Sequence, residues 1–365
     1  MERLSELTDS IRRQAPGADF AKFAWVLLNS RGDTHKAEGI AARFVQAAPA
    51  VTRVTKAAVS ALGTTSAGFA DDATWQSMSR EFVSLVNERT VYGQLQNKMR
   101  RVPFNTRTLT QLAPADASWV GEAKPKPMSA LTLDTVTMPL AKVVSLVVFS
   151  EELSQTWSRA AEKNILDSII ASVARFVDSA FLNPLTAALA GTNPASVTYG
   201  LTTTPSSGSS AAQISADLRA MLDRMVATGS DLSAVVLVLH PTSALYMSGL
   251  LTSGGNLLFP NLGAVGGEIW KLPVLTSRAA GDWNSPTERM IVAIDARGIL
   301  YADDGKVSID ASRQASLQFV SDPATGATAL VSLWQTNHVA LRVEKFVAWL
   351  RADSNAVQII SGVQF

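Results

Sequence analysis

The chain has 365 residues, of which 47% are hydrophobic and 17% charged, with a formal net charge of +1. That length is ample for a large core or several lobes, and the near-neutral balance argues against a strong nucleic-acid or acidic-lipid partner. There is no cysteine, which excludes disulfides, thiolate metal sites and cysteine nucleophiles. The polar start Met1–Ser10 lacks the apolar core of a secretory signal, and no apolar run approaches the ~18 residues of a membrane span.

Residues 1–62 read as short amphipathic helices: Leu4, Leu7 and Ile11, then Phe20, Phe23, Ala24, Leu27 and Leu28, then Ile40, Phe44, Val45 and Val51. Breaks are expected at Pro16-Gly17, at Arg31-Gly32-Asp33 (a turn before a helix) and at Pro49. The small-residue stretch from Gly63 to Asp72 is the best linker in the chain. From Trp75 to Arg100 a helical pattern resumes through Phe82, Val83, Val86, Leu95 and Met99.

A long two-stranded excursion follows. Arg101–Thr106 opens its outbound strand, and Gly121-Glu122-Ala123-Lys124-Pro125-Lys126-Pro127 forms a polar tip. Leu131, Leu133, Thr135 and Thr137 then alternate with Thr132, Asp134, Val136 and Met138, the period of a strand with two unlike faces. Val143–Phe149 is a continuous apolar run, as expected of a strand buried on both sides. Leu153, Trp157, Ala161, Ile165, Ile169, Val173, Val177 and Phe181 recur at steps of four, flanked by Leu166, Ile170 and Phe176. They predict a helix of roughly 45 Å, with Ser150 as N-cap, Glu151 and Glu152 against the helix dipole and Asn183-Pro184 as its end. An isolated ribbon is marginal in water, so this excursion is expected to lie on another molecule.

Gly191–Ser210 reads as an exposed loop. A helix is expected from Ser215 to near Gly229, a buried strand at Ala234–Leu239, and a second helix after His240-Pro241-Thr242-Ser243. Gly254–Gly267 reads as loop, Glu268–Ser277 as a strand, Met290–Asp295 as a buried strand and Gly298–Ala302 as a short one. Leu330–Trp334, Val339–Trp349 and Val357–Ile360 are the last strands.

Trp119-Val120-Gly121-Glu122 before Lys-Pro, the T-x-x-L-x-K-V stretch and V-x-x-S-x-E-L before a long helix together resemble the major capsid proteins of tailed bacteriophages. The resemblance covers about Trp75 to Phe365 and rests on element order more than on any single motif. It implies an α+β phage major capsid fold: long spine helix, extended β-hairpin loop, N-terminal arm, peripheral and axial domains. The implied segments are 1–62, a helical prefix, scaffold-like and cleaved in many family members; 63–100, linker and arm; and 101–149, the extended loop. Residues 150–213 become the peripheral domain with the spine helix, 214–325 the axial domain, and 326–365 the returning strands. The implied function is a shell subunit forming pentamers and hexamers around double-stranded DNA. The implied place is the virion capsid, assembled in the bacterial host cytoplasm. Its partners would be copies of itself, portal, protease or scaffold and decoration proteins, and DNA by weak contact.

Catalytic chemistry is sparse. His35, His240 and His338 stand far apart without metal-ligand spacing, and His240 before Pro241 reads as a helix-start residue. There is no phosphate loop, dinucleotide fingerprint or nucleophile elbow. Glu151-Glu152 point apart on a helix, and Asp303-Asp304-Gly305 reads as a hairpin turn. No cofactor or metal is expected, and the chain is read as a structural protein, not an enzyme. Some members of the resembled family join a loop lysine to a neighbour's asparagine. Here Lys124, Lys126, Asn337 and Asn355 lack a motif specific enough to carry that role. The subunit-interface residues proposed from sequence are Trp119, as a buried anchor, with Glu122, Lys124 and Lys126. Two alternatives stand beside this reading: an encapsulin-like nanocompartment shell, separable by its cargo, and an unrelated α+β enzyme, separable by its small size in solution.

Overall fold

The computed structural model describes residues 17–30, 34–42, 51, 77, 79–113, 119, 132–150, 159–281, 283, 289–318 and 330–365. The linker Gly63–Asp72, the hairpin tip, Glu151 and Glu152 lie outside them. Among the described residues the named helices are α1 (Ala18–Ser30), α2 (Thr34–Ala41), α3 (Val91–Leu95), α4 (Arg159–Leu182), α5 (Ala211–Ala227) and α6 (Pro241–Ser248). Residues 79–88 are also helical.

The strands begin with β1 (Arg100–Arg101), β2 (Arg107–Ala113), β3 (Thr132–Thr137), β4 (Lys142–Ser150) and β5 (Thr204–Pro205). Next come β6 (Val235–Leu239), β7 (Leu262–Gly263), β8 (Gly266–Ile269), β9 (Leu272–Thr276) and β10 (Arg289–Asp295). The last are β11 (Ile299–Ser312), β12 (Ser316–Gln318), β13 (Leu330–Ser332), β14 (His338–Arg351) and β15 (Val357–Val363). They form a seven-stranded sheet ordered β5-β15-β10-β6-β9-β8-β7, a four-stranded sheet ordered β1-β11-β14-β4, and two separate pairs, β12-β13 and β2-β3.

The chain divides into two compact units. The first holds residues up to Arg89, Val143–Ala174 and Asp304–Phe346; the second holds Thr90–Lys142, Arg175–Asp303 and Val347–Phe365. In the first, Phe23 and Val26 of α1 pack with Ala37 and Ala41 of α2 and with Val51. Phe20 stacks on Phe82 at 4.2 Å between ring centroids. Arg89 and Asp167 pair at 2.6 Å.

In the second unit the seven-stranded sheet carries the core. All five residues of β6 are buried, since a central strand covered on both faces has no solvated side to keep polar. Leu218, Met221 and Met225 of α5 pack there with Leu237, Ile291 and Ile360. Ser210 caps α5 through a reciprocal bond pair with Gln213. A smaller cluster joins Val102, Met138, Ala141, Leu300, Ala302 and Ala348. An aromatic group brings Trp349 to 5.3 Å from Tyr92 and 5.2 Å from Phe181.

Four expectations are corrected. The run Val143–Phe149 is not buried on both faces: Val143 and Ser145 are buried, while Val144 and Leu146 are 45% and 46% exposed. The alternation shows that only one face of β4 is covered in this region, so only alternate residues find cover. Asp303-Asp304-Gly305 makes no hairpin but lies inside the 14-residue β11. Gly305 takes φ +65° there, which lets the strand deform locally and continue. Glu268–Ser277 is not one strand: Trp270 and Lys271, both at positive φ, reverse the chain between antiparallel β8 and β9. Phe176, read as a flank of the apolar stripe, is 57% exposed. The end of α4 falls as expected, at Leu182, where the Asn183 side chain accepts from the Leu185 amide.

Candidate intersubunit surface

The ribbon β2–β3 is antiparallel, from Arg107 opposite Thr137 to Gln111 opposite Leu133, with an irregularity before Ala113 opposite Thr132. Among the described residues neither strand pairs with a third. Two strands alone are marginal in water, so the ribbon's stability calls for a surface to lie on. Its base is closed by Asn105 N–H donating to the Met138 carbonyl and Met138 N–H donating to Thr106, both 3.1 Å. Buried Val102 and Met138 anchor that base in the cluster with Ala348. The ribbon is thus firmly rooted at its base. Of the interface residues proposed from sequence, Trp119 is fully exposed on the single chain. Glu122, Lys124 and Lys126 lie outside the described residues.

Two further apolar surfaces were not foreseen. One is the bare face of edge strand β4, Val144 and Leu146. An exposed strand edge is a template for association and is normally blunted or covered. The other surrounds β7, the edge of the seven-stranded sheet. Val265, 93% exposed, stands in the turn between β7 and β8. Exposed Trp270 occupies the next turn, edge-on to Phe259 at 6.1 Å. Leu251 and Leu257, bridged to each other, are exposed as well, and so is Leu245 of α6, which contacts β7. The available signal was the density of large apolar residues inside a glycine-rich loop.

The polar side chains are occupied structurally. His240 caps α6, its Nδ1 accepting from Thr242 N–H at 3.2 Å. Burial, then Arg289 and Arg278, hold its pKa below the ordinary value, which keeps the ring an acceptor. Asn337 accepts from Arg313 at 2.9 Å. No group of three His, Asp or Glu residues able to hold a metal gathers among the described residues, and none of their helices is long and apolar enough to cross a membrane.

Asp178 of α4 is buried and was missed in the sequence. Its carboxylate accepts from Val91 N–H at 2.8 Å and from Ser277 Oγ at 2.8 Å, tying α4 to the start of α3 and to the end of β9. Burial pushes its pKa up to about 6, against the hydrogen bonds from Ser277, Val91 and Tyr92. A carboxyl with a folded pKa above its unfolded value binds its proton more tightly when folded. The ionised form therefore costs stability in full above about pH 6, and the cost fades as pH falls towards the unfolded pKa near 4. Unfolding in urea at pH 7 and pH 4.5 should show the native chain gaining about 2 kcal/mol relative to Asp178→Asn over that interval.

Among the described residues the chain thus carries a rooted two-stranded ribbon and two exposed apolar groups, at β4 and around β7. The chain belongs to the Phage capsid family, whose sequence model matches residues 70–362. It is 31% identical over 370 residues to the capsid polyprotein of Pseudomonas phage PAJU2, across 96% of this chain and 54% of that one. It thus spans about half the length of that curated relative. A solved chain from Mycobacterium phage Ogopogo has a TM-score of 0.54 at 19% identity, covering 73% of this chain and 91% of that one. One from Gordonia phage Cozz has 0.53 at 19% identity, covering 73% and 85%. These likenesses show that the α+β fold is shared with those phage chains.

Proposed function

We propose that the chain is a major capsid protein that self-assembles into an icosahedral shell of pentamers and hexamers enclosing double-stranded phage DNA. The observation that carries this reading is the β2–β3 ribbon, rooted in its own subunit and paired with no third strand among the described residues. Family membership supports self-association. In this reading the ribbon overlaps a neighbour, with Trp119 as its anchor and Glu122, Lys124 and Lys126 as rim charges worth ~0–1 kcal/mol each. The apolar residues around β7 meet their counterparts at the capsomer axis. Many modest contacts then add up to a stable shell. Near-neutral charge suits a container from which DNA must leave. The work is mechanical, with no catalytic step. Portal, protease or scaffold and decoration proteins are the expected partners, and the host cytoplasm the place of assembly.

Electron microscopy of the purified chain should show closed particles, and sedimentation should give megadalton species or capsomers. Val265→Asp places a charge at the most exposed apolar position of the axial tip. It should shift material from particles to free subunits by at least about tenfold, given ~2 kcal/mol or more for burying an unpaired charge at each repeated contact. A chain that stays monomeric under all assembly conditions would overturn the proposal.

A further inference from the structure

The helix α1 is apolar on nearly every side. Phe20, Ala21, Phe23, Ala24 and Val26 are buried, and none of its described side chains is exposed. Such a helix cannot stand alone in water. It has two kinds of cover. Phe23 and Val26 form a cluster whose buried members (Ala37, Ala41 and Val51) all come from the same prefix. Phe20 instead leaves that cluster and stacks on Phe82, both rings buried. The prefix is therefore a small module with its own core, fastened by an aromatic contact to the helical stretch at 79–88. That stretch stays with the unit that holds Asp304–Phe346, through Ser79 Oγ donating to the Val307 carbonyl at 3.5 Å. The family match begins only at residue 70, so the module precedes the shared fold.

We propose that α1 is an exchangeable docking element. The Phe82 face takes α1 of its own chain in the lone subunit and α1 of an adjoining copy in the assembled shell. The partner is a second copy of this chain, and its fit is visible, because an identical helix already occupies the seat. Exchange of an identical element costs no complementarity. Covalent geometry permits it: 28 peptide links separate Val51, the last described residue of the prefix core, from Ser79, and they span at most about 100 Å. Within a shell, neighbouring seats are present at an effective concentration comparable to the chain's own, so the advantage of docking at home disappears. Each exchanged helix then becomes a tie between subunits formed before any cut in the 63–72 joint.

This inference rests on the shell reading, and its test separates the two. The chain has no native cysteine, so labelling is clean. Full-length Phe20→Cys chains are mixed with full-length, nitrogen-15-labelled Phe82→Cys chains. A short bismaleimide is added to dispersed subunits and to assembled particles, and the joined peptides are identified by mass. Cross-chain 20–82 products at least about tenfold more abundant in particles than in dispersed subunits are expected. The double variant Phe20→Cys/Phe82→Cys reports the contact within one chain. A benzophenone amino acid at position 20, with Phe82 intact, repeats the measurement if cysteine at either position prevents docking. Particles containing only within-chain products would overturn exchange while leaving the shell reading in place. Failure to form particles at all would remove the shell reading and exchange with it.

Discussion

Excising residues 107–137 and joining Thr106 to Met138 through Gly-Gly should leave a folded subunit that no longer builds particles. The subunit should survive because the cut falls outside its core. Val102 and Met138 remain in the cluster with Ala348 and Leu300. The two base hydrogen bonds, Asn105 to Met138 and Met138 to Thr106, already hold the stems together, so the new loop closes little extra chain. Among the described residues β2 and β3 exchange ladder bonds only with each other, so the other described sheets keep their partners. The thermal midpoint should move by no more than a few degrees. Assembly is the opposite case. If each ribbon covers a neighbour, its loss is repeated at every subunit, and the penalty multiplies around a closed shell. Particle yield by sedimentation should fall by at least about 100-fold. A variant that still closes particles would show that the ribbon is not the tie between subunits. A variant that unfolds would show that the ribbon is part of the subunit's own core.

The readable elements were those whose pattern is set by burial inside one chain. β6 is five apolar residues and is wholly buried, and α4 ends at Leu182, before the Asn183 amide side chain and the following proline. The start of α5 was placed at Ser215 although Ser210 caps it. The Ser-x-x-Gln capping box was hidden in a run of Gly, Ser, Thr and Pro that reads as loop. The continuous run in β4 was misread because hydrophobicity alone cannot tell a strand buried in its own subunit from an edge strand with a bare apolar face. Asp178 left no periodic signal, since its partners, Val91 and Ser277, lie 87 and 99 residues away. The ribbon followed the same rule: its two-stranded form is legible in local alternation and is seen as the β2–β3 pair. The apolar group around β7 depends on how distant turns come together.

The last expectation concerns the strongest single packing position. Trp349→Ala should lower the unfolding free energy by about 3–5 kcal/mol, out of a typical total of 5–15 kcal/mol. The side chain is buried and touches Tyr92 at 5.3 Å and Phe181 at 5.2 Å between ring centroids. Tyr92 in turn meets Tyr301 at 6.4 Å. Truncation removes the centre of this group, and the surrounding rings are too rigid to collapse into the space. It also leaves the Ala195 carbonyl without the indole N–H that donates to it at 2.9 Å, a further cost of about 1–3 kcal/mol where no water replaces it. Trp349→Phe separates the two effects, because it keeps an aromatic body between Tyr92 and Phe181 and gives up the N–H. Urea unfolding should therefore rank native above Phe above Ala, with the larger step between Phe and Ala. Equal losses for Phe and Ala would place the energy in the hydrogen bond to Ala195. Because Trp349 is buried within its own chain, a chain weakened here should lose assembly only through unfolding. Particle yield should track the folded fraction for Trp349→Ala, whereas ribbon excision should abolish particles at full folding, and that contrast distinguishes a core residue from an interface.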